Sequence, residues 1–302
     1  MITQPKGPQP TDEPLSLTSA GSGPTVLRIT LGGQLRQLRQ RQNITREAAG
    51  EAIRGSHAKI SRLERGQVGF KERDILDLLT LYQVTDPDQR EALVALARKA
   101  NEPGWWHRYN DLLPSWFETY LGLEQAARVI RNYENQFIPG LLQTADYARA
   151  VTLLGHANEP APEIERRTEL RMQRQQILTS DGPPTLWAVI DEAALRRAIG
   201  GADVMRDQIE HLIAATELPN VTVQVLPNAV GGHAAAGGPF SLLRFPDTDL
   251  PDIVYLEQLT SALYLDKRQD IEQYLKVIDV LSVQAATPDK SIDLLRAIHA
   301  EL

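Results

Sequence analysis

The stretch Ile44–Gln67, ITREAAGEAIRGSHAKISRLERGQ, constrains the fold more than any other part of the chain. It spells two short helices on either side of an Arg54-Gly55 corner, where glycine tolerates the left-handed backbone that ends a helix. Thr45 has the residue type and position of an N-cap for a helix over 46–53, and Ser56 for the next one. Ile53, Ile60 and Leu63 share an inner face, the basic groups of the second helix lie opposite them, and Gly66 ends that helix. Two short helices held at a fixed crossing angle by a small apolar core make a helix-turn-helix. In such a unit the first helix crosses a phosphate backbone and the second lays its N-terminal half in a major groove.

The flanking pattern extends this unit into an all-α domain. Leu31, Leu35 and Leu38 recur at helical spacing from Thr30, a fourth helix is predicted over 72–82, and Asp86-Pro87 starts a fifth that runs to Ala100. Charge follows the same boundary. From Arg28 to Lys71 there are ten basic and three acidic residues, +7, in a chain whose net charge is −7, so the remainder carries −14. A basic module on an acidic body suits a polyanionic partner. Residues 1–24, with five Pro and three Gly among polar residues, are expected to form a disordered tail. The domain is therefore placed at 25–100.

Asn101-Glu102-Pro103-Gly104 marks the boundary of a second domain over 101–302. Helices are expected over 115–132, 144–154 and 162–179, after which the apolar period changes from 3.6 to 2. Strands are expected over 185–190, 221–226, 240–245 and 253–257, with helical residues 192–217 between the first two and helices over 270–284 and 291–300 at the end. That order predicts an α+β domain with a mixed sheet of about four strands.

The inventory also excludes. The chain has no Cys, hence no disulfide, thiolate metal site or Cys nucleophile, and a reducing cytoplasm is the expected setting. The start, MITQPKGPQPTDEP, is not a secretory leader. The longest uncharged run, Leu218–Leu243, is broken by three Pro and four Gly, so no membrane contact is expected. Six His at least 22 residues apart form no local metal pair, and no metalloprotease, nucleophile-elbow, Walker or dinucleotide motif is present. No catalytic residue, metal ligand or cofactor is therefore assigned.

The run Ser56, Ile60, Ser61, Leu63, Glu64, Gly66, with Thr45 and Glu47 at the entry, resembles the Xre/Cro family of lambda-repressor-like helix-turn-helix domains over about Leu31–Val84. Further strings are WW at 105, PGLLQT with YARA over 139–150, RMQRQ over 171–175, DEAALRR over 191–197 and GPF over 238–240. With them the whole chain from Leu31 is similar to WhiJ-like actinobacterial regulators, whose C-terminal domain has no settled biochemical role. The resemblance implies that Arg46, His57, Ala58 and Arg62 face bases, while Arg39, Lys59, Arg65 and Gln67 lie near phosphates. One departure is Gly50, where the family has Ala. It implies transcription regulation through double-stranded DNA, and a small partner protein encoded nearby.

Physical chemistry adds roles to those positions. Arg62 suits bidentate reading of guanine, worth about 1–3 kcal/mol against a wrong base, and Ala58 suits a thymine methyl. Ser56 leaves outward backbone N–H groups for a phosphate. A homodimer on a pseudo-palindrome is the expected geometry. Trp105, Trp106, Tyr133 and Gln143 are the candidates for an effector or partner pocket in the second domain, against packed corners and interdomain burial as the alternative. Three readings follow: a regulator whose second domain dimerises and binds a partner or effector, an antitoxin-like protein that autoregulates its operon, and a one-component sensor of a small metabolite.

Overall fold

The computed structural model describes residues 23–246 and 250–302. The tail expected over 1–24 lies outside the described residues as far as residue 22, and Pro24 opens the first helix. Helix α1 (Pro24–Arg41) starts six residues before the Thr30 expected from periodicity, with proline at the helix start where its missing N–H costs nothing. Helices α2 (Arg46–Ala52), α3 (His57–Glu64), α4 (Glu72–Leu81) and α5 (Pro87–Ala100) follow. Leu31, Leu35, Ile53, Ile60, Leu63, Ile75, Leu78 and Leu79 close one apolar core among them.

The early start of α1 has a tertiary cause. Its first turn packs on both sides: Leu27 joins the N-terminal core, while Thr25 and Val26 meet α6 (Ser115–Ala126) of the second domain. Val26 shares a core with Tyr120, Leu123 and Ile130. Gly122 admits Thr25 so closely that a Cβ there would fall 2.0 Å from Thr25 Oγ1. Arg28 Nε donates to the Ala100 carbonyl oxygen at 2.8 Å, tying α1 to the end of α5. One helix thus belongs to two cores.

The second domain is built on a sheet of six strands rather than the four expected: β1 (Val129–Glu134), β2 (Thr185–Asp191), β3 (Val221–Leu226), β4 (Phe240–Arg244), β5 (Ile253–Glu257) and β6 (Ala262–Leu265). Their spatial order is β3-β2-β1-β4-β5-β6. The first three run parallel, with Ile130 opposite Leu186 and Leu186 opposite Val221. Strand β4 is antiparallel to β1, and β4, β5 and β6 form a meander. The helix expected over 115–132 therefore ends at Ala126, and its last residues begin the strand at the centre of the sheet.

Helices cover both faces. Between β1 and β2 run α7 (Ala145–His156) and α8 (Ala161–Gln175), and between β2 and β3 run α9 (Glu192–Leu195) and α10 (Ala202–Ala215); α11 (Arg268–Gln284) and α12 (Pro288–Glu301) end the chain. Leu186, Ala188 and Ile190 of β2 face α10 and α12, whereas Val189 faces Ile278 and Leu281 of α11. That alternation is the period of 2 read in the sequence. The β3 edge is capped: Val225 N–H donates to Ser291 Oγ and Ala286 N–H to the Val225 carbonyl, both at 2.9 Å. Covering this edge removes a template for strand pairing. Among the described residues no helix is long and apolar enough to cross a membrane.

Candidate nucleic-acid interface

The α2–α3 unit is assembled by caps, a corner and close approach. Thr45 Oγ1 accepts the Ala48 N–H at 3.2 Å, and Ser56 Oγ accepts the Lys59 N–H at 3.3 Å, so both helix starts have the caps expected of them. The corner differs from expectation in one detail. The left-handed residue is Arg54 (φ 52°), not Gly55, and the Gly55 N–H donates to the Gly50 carbonyl at 2.8 Å. Gly50 is buried against that corner, where a Cβ would lie 2.9 Å from the Ser56 carbonyl carbon. Gly66 (φ 66°) ends α3 in a conformation that favours glycine, against the backbone of Ile29 in α1.

With Ile60, Leu63 and Glu64 turned inward, α3 presents His57, Ala58, Ser61, Arg62 and Arg65 outward, and all but the half-buried Ser61 are exposed. These positions recur at i, i+4 spacing and form one stripe along the helix. Arg62 and Arg65 enter no salt bridge among the described residues; Arg65 Nε donates to the Ser61 carbonyl at 3.1 Å. Gln67 is exposed just beyond the helix end, its N–H bound to the Arg62 carbonyl at 2.9 Å. The stripe joins His57, Ala58 and Arg62, all expected to face bases, with Ser56 at its head and Arg65 and Gln67 at its foot. Ser61 was missed, although its place four residues after His57 marks the same face.

Two residues expected at phosphates are placed elsewhere. Arg39 is buried: its Nε lies 2.5 Å from Glu64 Oε1, its Nη2 3.2 Å from Glu64 Oε2, and its Nη1 donates to the Ile44 carbonyl at 2.7 Å. Those bonds hold its guanidinium above the ordinary arginine range, through the Glu64 carboxylate first. Lys59 Nζ lies 2.5 Å from Oδ2 of Asp74, a carboxylate buried in the first turn of α4. A buried carboxylate needs a cation beside it, and that need buries Arg39 and turns the half-buried Lys59 toward Asp74. Arg46, expected to face bases, is half-exposed, with its Nε 3.0 Å from Glu64 Oε2. The role of Glu64 was also missed; its signal is a lone carboxylate on the apolar side of a basic helix.

The four pocket candidates of the second domain do not come together. Trp106 is buried with Tyr109, Leu112, Leu121 and Leu170, and Trp105 meets it edge-on at 5.8 Å. Tyr133 lies on the α11 side of the sheet, its hydroxyl 3.3 Å from Asp191 Oδ2 and 3.1 Å from His233 Nε2. Gln143 is buried under α8, donating to the Ile138 carbonyl at 2.8 Å and accepting from Arg171 Nη1 at 3.3 Å. Beside it a cavity lined by Asn132, Ser241, Tyr120 and the Glu124–Arg174 ion pair encloses about 10 Å³, room for one water. A more open concavity of about 480 Å³ lies at the α11–α12 corner, lined by Pro227, Ala285, Lys290 and Leu294 and by none of the four.

Fold and stripe define a helix-turn-helix protein with an α+β second domain. Comparison with known families agrees: a helix-turn-helix domain model matches residues 30–93, and a model described as a domain of unknown function (DUF5753) matches residues 117–297. The second match covers more than half of the 302 residues, and the chain belongs to that DUF5753 family. No curated protein and no solved structure matches the chain.

Proposed function

We propose that this chain is a sequence-specific, DNA-binding transcription regulator of the Xre type, a relative of the WhiJ-like actinobacterial regulators that acts in the cytoplasm without catalysing a reaction. The observation that carries the reading is the exposed stripe of α3 on a domain that the helix-turn-helix model matches. In this reading His57, Ala58 and Arg62 meet base edges, and Ser56, Arg65 and Gln67 meet the flanking phosphates. Residues 25–100 form the DNA-binding unit and 101–302 the regulatory body, with α1 common to both. Two copies pair through the second domain so that each α3 meets one half-site, and the same domain takes an effector or small partner protein.

Selection of bound sequences from random duplexes, followed by titration of the selected site against scrambled DNA, tests the proposal. The selected site binds at least about a thousandfold more tightly. Equal affinity for both duplexes contradicts sequence reading, and no binding at low ionic strength contradicts DNA binding altogether.

A further inference from the structure

We propose that the corner between α11 and α12 is the face through which two copies of this chain pair. The inference rests on the reading above that copies pair through the second domain, and it names the surface. The last turn of α11 carries Val283, 85 % exposed, and one turn earlier stands Val280, 44 % exposed. Gln284 shares their face, four residues after Val280. It also lines the concavity of about 480 Å³ whose apolar wall is Pro227, Ala285 and Leu294. An exposed apolar knob and an apolar hollow thus lie side by side on one surface. A lone exposed valine is ordinary on a protein, whereas two on one helix face beside such a hollow make a patch.

The hollow is preformed. The Ala286 N–H bond to the Val225 carbonyl and the Val225 N–H bond to Ser291 Oγ, both at 2.9 Å, fix the α11–α12 connection to the edge of the sheet. A rigid hollow loses little freedom when it is filled.

Charge decides what fills it. Lys290 and Asp293 stand on the rim, both exposed, three residues apart on α12. Lys290 enters no salt bridge among the described residues, and Asp293 has only a long, exposed contact with Arg296 at 3.5 Å. Lys290 also lies in the first turn of α12, where the partial positive charge of the helix start disfavours a cation. A carboxylate brought to it from outside offsets that penalty. A two-fold axis passing between the two residues sets α12 antiparallel to its copy, so that each Lys290 meets the other copy's Asp293. The rim is therefore complementary to itself. In the same arrangement Val283 of each copy covers the hollow of the other, so a second copy supplies charge and apolar surface together.

Sedimentation of the full chain over a concentration series, free and with the selected duplex, tests this. Wild type is expected to form a dimer that dissociates on dilution. Val283→Lys is expected to weaken that dimer on the order of a hundredfold. Leu154→Lys, the same change at a residue of α7 that is 65 % exposed, should leave it unchanged. Lys290→Asp is expected to weaken it on the order of tenfold, because the two-fold axis repeats one charge clash twice. Asp293→Lys should do the same, and the two reversals combined should restore the dimer to within about twofold of wild type. Every substitution falls on an exposed side chain, so the melting temperature of each monomer should hold. A wild-type dimer that Val283→Lys leaves intact overturns the inference and puts the pairing on another surface. A double reversal no better than either single one overturns it as well. A chain that stays monomeric at every concentration, free and on DNA, overturns the pairing reading itself and leaves this face to a different partner.

Discussion

Replacing Gly50 by alanine sets two known effects against each other, and the structure says which wins. Helix propensity favours the change: glycine inside a helix costs about 0.5–1 kcal/mol relative to alanine, and α2 has only seven residues. Packing opposes it. The new Cβ would stand 2.9 Å from the Ser56 carbonyl carbon and 3.1 Å from the His57 nitrogen, both backbone atoms at the start of α3. Backbone cannot swing aside as a flexible side chain would, and forcing a methyl into a filled core costs about 1–3 kcal/mol. The net is a loss of about 1 kcal/mol, several degrees in the melting of a domain this size. Gly33, in the middle of α1, is the control, because a Cβ there meets nothing within 4 Å. Gly33→Ala should therefore raise the melting temperature through the same propensity term. Calorimetry on the three proteins decides. A Gly50→Ala protein more stable than wild type would refute the argument that close backbone approach, not chance, keeps glycine at this position.

Lys59→Ala should leave the salt slope of DNA binding unchanged, because Lys59 is paired with Asp74; the cost instead falls on stability, about 1–3 kcal/mol in chemical denaturation, since the buried Asp74 keeps only the longer contact to Arg73 at 3.5 Å. Glu134 is pushed up to about 8, by burial first and then by Glu257. A carboxyl raised in the folded state favours folding below its unfolded value near 4.5, and that contribution is lost as pH rises toward 8. Glu134→Gln should then raise the melting temperature more at pH 8.5 than at pH 5, and equal shifts would contradict the assignment. Gly122→Val should push Thr25 and the first turn of α1 off α6, seen as faster hydrogen exchange at 25–29 while the caps of α2 and α3 keep their protection.

Legibility in the sequence followed the range of the forces involved. The caps Thr45 and Ser56, the Gly66 stop and the corner after α2 are set by contacts within a few residues, and all could be placed from spacing alone. Arg39 and Lys59 could not, because their partners are 25 and 15 residues away and only the tertiary fold buries Glu64 and Asp74. A surface arginine and a buried, paired one look the same in a string of letters. Strand β1 was hidden for a different reason: it follows α6 after only Ala127 and Arg128, with no Gly or Pro to punctuate the change of period. Strand β6, four residues long, is too short for alternation to register. The start of α1 was misjudged because Thr25 and Val26 are buried against the second domain, a surface that helical periodicity within the first domain cannot reveal.

The central claim is that the outward stripe of α3 reads base pairs, and Arg62 is its most discriminating member. Affinities of wild type and Arg62→Ala for the selected site and for a scrambled duplex, taken across a salt series, test it most directly. The expected result is a loss of about 1–3 kcal/mol on the selected site and far less on scrambled DNA, so that the preference between them shrinks. An Arg62→Ala protein that retains the full wild-type preference would contradict the account.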